Sequence, residues 1–255
     1  MTAPSWKGIE AKKDRAVAHA KTLDREVGAF LNSKPYSTER KIYDDGRKWI
    51  YIAKDVKPLP SFLAPIFGDW AHNLRTTLDY IVNELVIANG ARPNRRTTFP
   101  VLVQEPPQGL RVYADGGTVA PEVLTEIHEL QPYSGWKGNP EPIWHPIHLI
   151  HELDRIDKHR NLALLVTGVS GYSYSLPGFE EHPFIDYGPL VEGEPMAEVV
   201  WSVPKPETYT DPTFPIEVVL NEPPFGNDRI GWVTETINGW FANDILPRFG
   251  PFFPT

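Results

Sequence analysis

Two N-terminal stretches of the chain repeat apolar residues every three or four positions, the spacing that places them on one side of an α-helix. The first covers residues 5–32, and the second, with the strongest helical pattern in the chain, covers residues 61–88. Between them, residues 36–43 and 48–53 predict two short strands. They are separated by Asp-Asp-Gly at 44–46, whose glycine accepts the left-handed backbone of a tight hairpin turn.

The rest of the chain changes from helical to strand-like patterns. Residues 121–130 and 146–160 predict two shorter helices, and residues 227–245 predict a last one. Short β-rich segments bounded by glycine or proline lie at 162–169, 171–175, 197–203 and 215–220. Because helices come first and strands later, without βαβ alternation, the order predicts an α+β fold.

We therefore expect a single α+β domain over residues 1–255. Its helical part, about residues 1–160, would contain the small β-hairpin. Its β-rich part, about residues 161–255, would form an antiparallel sheet with the C-terminal helix packed on it.

Composition narrows the function classes. The chain has no cysteine, which excludes disulfides, thiolate catalysis and cysteine zinc sites. Its formal net charge of −8 makes non-specific nucleic-acid binding an unfavourable function. No Walker loop or Gly-x-Gly-x-x-Gly motif is present, so no cofactor is predicted. Without an apolar leader or a membrane-length apolar run, we expect a cytoplasmic protein with no membrane partner.

The helix over 61–88 has a polar side of unusual composition. His72, Arg75 and Asp79 follow one another at three and four residues, so they line up, and Arg75 and Asp79 can form an ion pair across one turn. A solvated helix face with one salt bridge is the simpler interpretation. The chemical variety favours a site, because an ordinary exterior is rich in lysine and glutamate. Other polar residues on that side are Asp69, Thr76, Tyr80 and Asn83.

The helix over 146–160 interrupts its own apolar side with charge. In projection, Asp157 and Arg160 fall on the side of its leucines and isoleucines. Buried charges have to be paired, because an unpaired one costs several kcal/mol. We therefore predict that Asp157 and Arg160 interlock with Arg75, Asp79 or His72. If the helix ended near residue 158, the helical projection behind this prediction would not hold.

These residues suggest a polar pocket between the two helices that binds or hydrolyses a small anionic molecule. His72 would act as general acid or base, with Asp79 and Asp157 orienting it. Arg75 and Arg160 would bind the anionic group. In the alternative interpretation the same residues form a non-catalytic packing clasp within an interaction or structural protein, and a homo-oligomer is compatible with either. Further substrate-binding candidates are Asn73 and Tyr80.

A second polar cluster lies on the opposite side of the helix over 146–160. His148, Glu152 and His159 project to one face, and such a set can hold zinc or iron. The glutamate lies outside the His148–His151 pair, however, so the zinc-protease motif His-Glu-x-x-His is absent. We expect solvated imidazoles and no metal site.

Three segments resemble a group of uncharacterised bacterial and phage proteins. They are residues 68–79 (GDWAHNLRTTLD), Phe99-Pro100 and the DKHR sequence at 157–160. The resemblance implies that the segments belong together and implies no reaction.

The chain also loosely resembles HEPN domains, the helical modules of many toxin and phage-defence ribonucleases. Their motif is an arginine and a histidine on one helix, with four to six residues between them. Arg75 matches the arginine, but Tyr80, Ile81 and Val82 occupy the three positions open to the histidine, and His72 precedes the arginine. The resemblance implies a ribonuclease in which Asp79 and His159 would replace the missing acid or base.

Overall fold

The computed structural model describes residues 4–110, 119–168, 184–185, 189–201, 203–206, 208 and 214–253, with only the backbone at 184–185. The predicted strand at 171–175 lies outside these residues. The described elements are helices together with two small antiparallel sheets, so the predicted α+β class is confirmed.

Two long antiparallel helices form the centre of the protein, α1 (Trp6–Asn32) and α2 (Leu63–Ala88). The Ser5 N–H donates to Glu84 Oε2 at 2.6 Å, so the start of α1 lies beside the end of α2. The predicted apolar side of α2 is buried. Its fully buried members are Phe67, Trp70, Leu74, Leu78 and Ile81.

The described residues form four further α-helices. In chain order they are α3 (Pro121–Glu129), α4 (Pro146–Asp157), α5 (Ile230–Trp240) and α6 (Leu246–Phe249). His145 caps α4, because its Nδ1 accepts the N–H of Ile147. Since α4 ends at Asp157, Arg160 lies beyond the helix. The helical projection that placed Arg160 on the same side as Asp157 was therefore wrong.

The described strands form two antiparallel sheets, and the strands that follow α4 are divided between them. The first has the order β1-β2-β5-β4 and the second has the order β3-β6-β7. The strands are β1 (Ser37–Tyr43), β2 (Lys48–Lys54), β3 (Leu164–Gly168), β4 (Phe184–Ile185), β5 (Pro195–Val200), β6 (Ile216–Leu220) and β7 (Asp228–Arg229).

The N-terminal hairpin is part of a sheet with C-terminal strands. Trp49 of β2 lies opposite Val199 of β5, and the hairpin therefore has β5 as its third strand. The physical reason is burial: four of the seven residues of β2 are buried, and a buried strand needs hydrogen-bond partners on both edges. The C-terminal helix packs as predicted on strand residues, through contacts of α5 with β6 and β7, and it also contacts α1.

Each sheet belongs to a different hydrophobic core. The larger core is formed by the helices together with β6, and the smaller core lies around Trp49, Tyr51 and Trp201. In the part of the chain that the structure describes, none of the helices has the length and apolarity needed to cross a bilayer.

Candidate functional site

Helices α2 and α4 cross in an antiparallel arrangement with three successive pairs of facing residues. The Asp157 carboxylate occupies the space beside Gly68, and His72 contacts Asp154. One turn further along α2, the charge of Arg75 acts on His151. The sequence prediction that these two helices meet through polar residues is therefore confirmed, although the partners differ from those predicted.

The central pair is a histidine oriented by a buried carboxylate. His72 Nδ1 lies 2.8 Å from Asp154 Oδ1, and the other oxygen of Asp154 accepts from Lys158 Nζ at 2.6 Å. The Asp154 side chain is only 5% exposed, whereas that of His72 is 50% exposed. A carboxylate at Nδ1 selects the tautomer with its proton there and leaves Nε2 as the basic nitrogen. Nε2 lies 3.5 Å from the hydroxyl oxygen of Thr76.

The aspartate that orients His72 was not among the predicted residues. The sequence predicts Asp79 and Asp157 in that role, but the hydrogen-bond partner of Nδ1 is Asp154. The helical projection places Asp157 on the apolar side of α4. Asp157 is the last residue of that helix, however, and the buried aspartate is Asp154. The four-residue spacing of Asp154 and Lys158 was the sequence signal that could have pointed to the buried carboxylate.

Arg75 and Asp79 together hold a backbone segment. The predicted ion pair is present, with Arg75 Nη1 at 2.8 Å from Asp79 Oδ1. Arg75 Nη2 also donates to the carbonyl of Phe99 at 2.9 Å, and the N–H of Phe99 donates to the same Asp79 oxygen at 2.9 Å. Because its guanidinium is buried in these contacts, Arg75 is placed to fix the Phe99 loop and not to bind a substrate anion or an RNA phosphate.

Arg160 pairs with a residue of the C-terminal part instead of α2. Its two terminal nitrogens lie 2.6 and 2.7 Å from the two oxygens of Glu222, and Oε1 of Glu222 also accepts the N–H of Ala163 at 2.8 Å. Burial would raise the pKa of Glu222, but the hydrogen bonds from Arg160 and Ala163 hold it below its ordinary value. The predicted interlock of Arg160 with α2 was wrong, because Glu222 is almost fully buried and binds both guanidinium nitrogens.

The two remaining substrate-binding candidates lie away from the exposed edge of His72. Asn73 is buried and donates to the carbonyl of Asp69 at 2.7 Å, inside the helix. The ring of Tyr80 lies beside Gly8 of α1, with Lys12 Nζ 5.6 Å from its centre. Tyr80 therefore contributes to the α1–α2 contact, at the position where the HEPN motif would carry its histidine.

Asp157 is a carboxylate without a counter-charge. No hydrogen bond joins it to another residue within the described ranges, and it lies against Gly68. Its pKa is raised above the ordinary value, first by burial and then by the negative charges of Asp69 and Asp154, while His72 acts in the opposite direction. The prediction that Asp157 orients His72 was therefore wrong.

Replacing Asp157 by asparagine is expected to stabilise the protein at pH 7. Because the pKa of Asp157 is raised in the folded state, folding favours its protonated form. The protonated carboxyl group therefore contributes stability at low pH, and this contribution is lost as the pH rises through the pKa of Asp157 in the folded protein. Asparagine resembles the protonated form at every pH. We expect a gain in unfolding free energy of less than about 1 kcal/mol, because solvent screens the half-buried group. Urea unfolding at pH 7 and at pH 3 measures this. A loss of stability at pH 7 would show that the ionised carboxylate has a favourable partner.

The other histidines of α4 favour the neutral form. Burial lowers the pKa of His145 to about 4, with a smaller effect from His148. Burial also lowers the pKa of His151, and Arg75 adds to that effect. The Nδ1 of His151 is buried without a hydrogen-bond partner, so His151 is a weak base that packs next to the crossing.

The set considered for a metal has other contacts. Glu152 accepts from Arg155 through two nitrogens, at 2.6 and 3.0 Å, and this pairing is the main cause that lowers its pKa. Among the described residues, no group of three or more histidines, aspartates and glutamates is arranged to hold a metal ion.

Comparisons with known proteins leave the site to be interpreted from its chemistry. No protein-family model matches the chain, and neither the curated proteins nor the solved structures contain a match. The resemblances of residues 68–79 and 157–160 therefore remain predictions.

Proposed function

We propose that this protein is an enzyme that uses His72 as a general acid or base on a small molecule. The observation that carries the proposal is the pairing of a half-exposed imidazole with a buried carboxylate, at 2.8 Å between His72 Nδ1 and Asp154 Oδ1. General bases in hydrolytic enzymes are commonly oriented in this way.

The surroundings of His72 support proton transfer at Nε2. Lys158 neutralises Asp154 and keeps it in place, so the carboxylate remains an acceptor for the Nδ1 proton. Thr76, at 3.5 Å, can hold Nε2 directed toward solvent or toward a bound water. A water activated at Nε2 is the simplest nucleophile for such a site, and hydrolysis of an ester or phosphoester is the reaction class that follows.

The proposed substrate is small and carries an anionic group. Arg75 and Arg160 are held by their own partners, so neither supports the binding of that group. Among the described residues, Lys158 is the lysine or arginine that contacts the dyad; its side chain is 56% exposed and pairs with one oxygen of Asp154. An anionic group bound at Lys158 would lie beside Asp154, which contacts the His72 ring at Nδ1.

Hydrolysis of p-nitrophenyl acetate, p-nitrophenyl phosphate and bis-(p-nitrophenyl) phosphate tests the proposal. We expect turnover of at least one probe, and a loss of about 100-fold or more in kcat/KM for His72→Gln, the range typical of a general acid or base. Asp154→Asn should also lower kcat/KM, because it removes the carboxylate that orients His72 and the ionic partner of Lys158.

His159→Gln is the matched control, since His159 is exposed on the segment that follows α4. It should leave kcat/KM unchanged. The proposal fails if all three probes hydrolyse at the buffer rate, or if His72→Gln retains the activity of the unmodified protein.

A packing clasp is the second candidate, and the arrangement of the charged groups favours it. Asp154 is held from both sides, by His72 and Lys158, and Arg75 is fully engaged. In that case Asp154→Asn lowers the unfolding free energy, and no probe is hydrolysed. Folded His72→Gln protein with full stability and no activity would support catalysis instead.

We also propose a cytoplasmic protein whose partners are small molecules and not nucleic acid. The proposal against nucleic acid rests on the net charge of −8, which disfavours contact with phosphate backbones. Self-association into a homo-oligomer is compatible with the fold, and sedimentation of the purified chain tests it.

A further inference from the structure

A second candidate site lies on the other side of the protein, between α1 and α5. Residues of both helices line a cleft of about 620 Å³, which is within the range of small-molecule sites. Residues at helical spacing on both helices face it, and β6 and β7 close one end. Its apolar surface is formed by Val17, Val27, Leu31, Val218 and Ile230.

One polar group in the cleft is oriented by the core. The side-chain oxygen of Asn238 accepts the indole N–H of Trp70 at 3.0 Å, which fixes the amide plane. The amide nitrogen of Asn238 is then the atom left to donate to a ligand. An apolar surface with one pre-oriented donor is typical of sites that bind an apolar body in a defined orientation.

The charges around the cleft favour a cation. Arg229 and Glu217 neutralise each other in an ion pair of 3.1 Å. The other ionisable residues that line the cleft, Lys21, Asp24 and Glu235, have no ion-pair partner among the described residues, and they carry a net charge of −1. The indole of Trp232, 52% exposed, adds the aromatic face that a quaternary ammonium group binds well.

We propose that this cleft binds a small amphipathic molecule with an apolar body and a cationic head group. The body would lie along Val17, Val27 and Leu31. The head group would lie between the carboxylates of Asp24 and Glu235, against the Trp232 ring. This site does not depend on the chemistry at His72, because no residue of the dyad lines the cleft.

Three probes that share one apolar body test the charge preference: 4-phenylbutyl-trimethylammonium, 4-phenylbutanol and 4-phenylbutyrate. Calorimetric titration of the full chain should show the cation binding at least about tenfold more tightly than the carboxylate, with the alcohol between them. Glu235→Gln should weaken the cation and leave the alcohol unchanged, whereas Glu122→Gln on α3 should change neither.

Filling the cleft separates specific binding from general adsorption. Gly231 lines the cleft, and an added side chain would meet no atom within 4 Å, so Gly231→Leu should fold and occupy the site. Gly239→Leu is the matched control, because Gly239 is equally unhindered on the same helix and does not line the cleft. We expect the first variant to lose binding of all three probes and the second to keep it. Equal affinity for cation and carboxylate, or binding that persists in Gly231→Leu, would overturn the proposal.

Discussion

Replacing Arg75 by alanine is expected to destabilise the protein by about 3–5 kcal/mol, the cost typical of removing one partner from a buried ion pair. The guanidinium is 11% exposed and binds both Asp79 and the carbonyl of Phe99. Its loss leaves Asp79 with one partner, the N–H of Phe99, and leaves that carbonyl unpaired. The Phe99 ring, which packs in the core against Phe249, would lose the attachment of its backbone. Urea unfolding measures the effect.

Two further variants of the same contact sharpen this result. Arg75→Lys should recover less than half of the lost stability. A lysine ammonium group lacks the planar fork with which the guanidinium reaches Asp79 and the Phe99 carbonyl at once. Arg155→Ala is the control, since Arg155 forms an exposed ion pair with Glu152 and such pairs contribute about 0–1 kcal/mol. Similar losses of unfolding free energy for Arg75→Ala and Arg155→Ala would contradict the conclusion that Arg75 and Asp79 hold the Phe99 backbone.

Replacing Gly68 by alanine is expected to cost about 1 kcal/mol, the lower part of the range for overpacking, because the Asp157 carboxylate is the end of a side chain and can move aside. An ideal Cβ at Gly68 would lie 2.0 Å from Asp157 Oδ1 and 2.3 Å from its Cγ. Glycine inside a helix is normally inferior to alanine by about 0.5–1 kcal/mol, so a loss on Gly68→Ala has to come from this contact. Thermal or urea unfolding gives the sign directly.

A double variant isolates the contact. Asp157→Ala removes the three carboxylate atoms that the new Cβ would meet, so Gly68→Ala should cost little in that background. Gly239→Ala serves as the control, because no atom lies within 4 Å of its would-be Cβ, and we expect it to be neutral or stabilising. If Gly68→Ala stabilises the protein as Gly239→Ala does, α2 and α4 do not approach at Gly68.

The sequence by itself determined the local elements. The three- and four-residue spacing of apolar residues predicted α2 to within two residues of its start, and the apolar residues it assigned to the core are buried. The same spacing gave the Arg75–Asp79 pair, because side chains one turn apart on a helix are neighbours whatever else the protein does. The hairpin was predictable for an equivalent reason, since its turn and register are local.

Only the tertiary structure decided which distant groups meet. Arg160 binds Glu222, 62 residues away, and no local spacing connects them. The choice of Asp154 over Asp157 as partner of His72 depends on where α4 ends and on how it crosses α2 at Gly68. In the same way, only the tertiary structure decides that β5, and not another C-terminal strand, pairs with β2. Periodicity fixes the side of an element on which a residue lies, whereas its partner is fixed by which buried surfaces pack together.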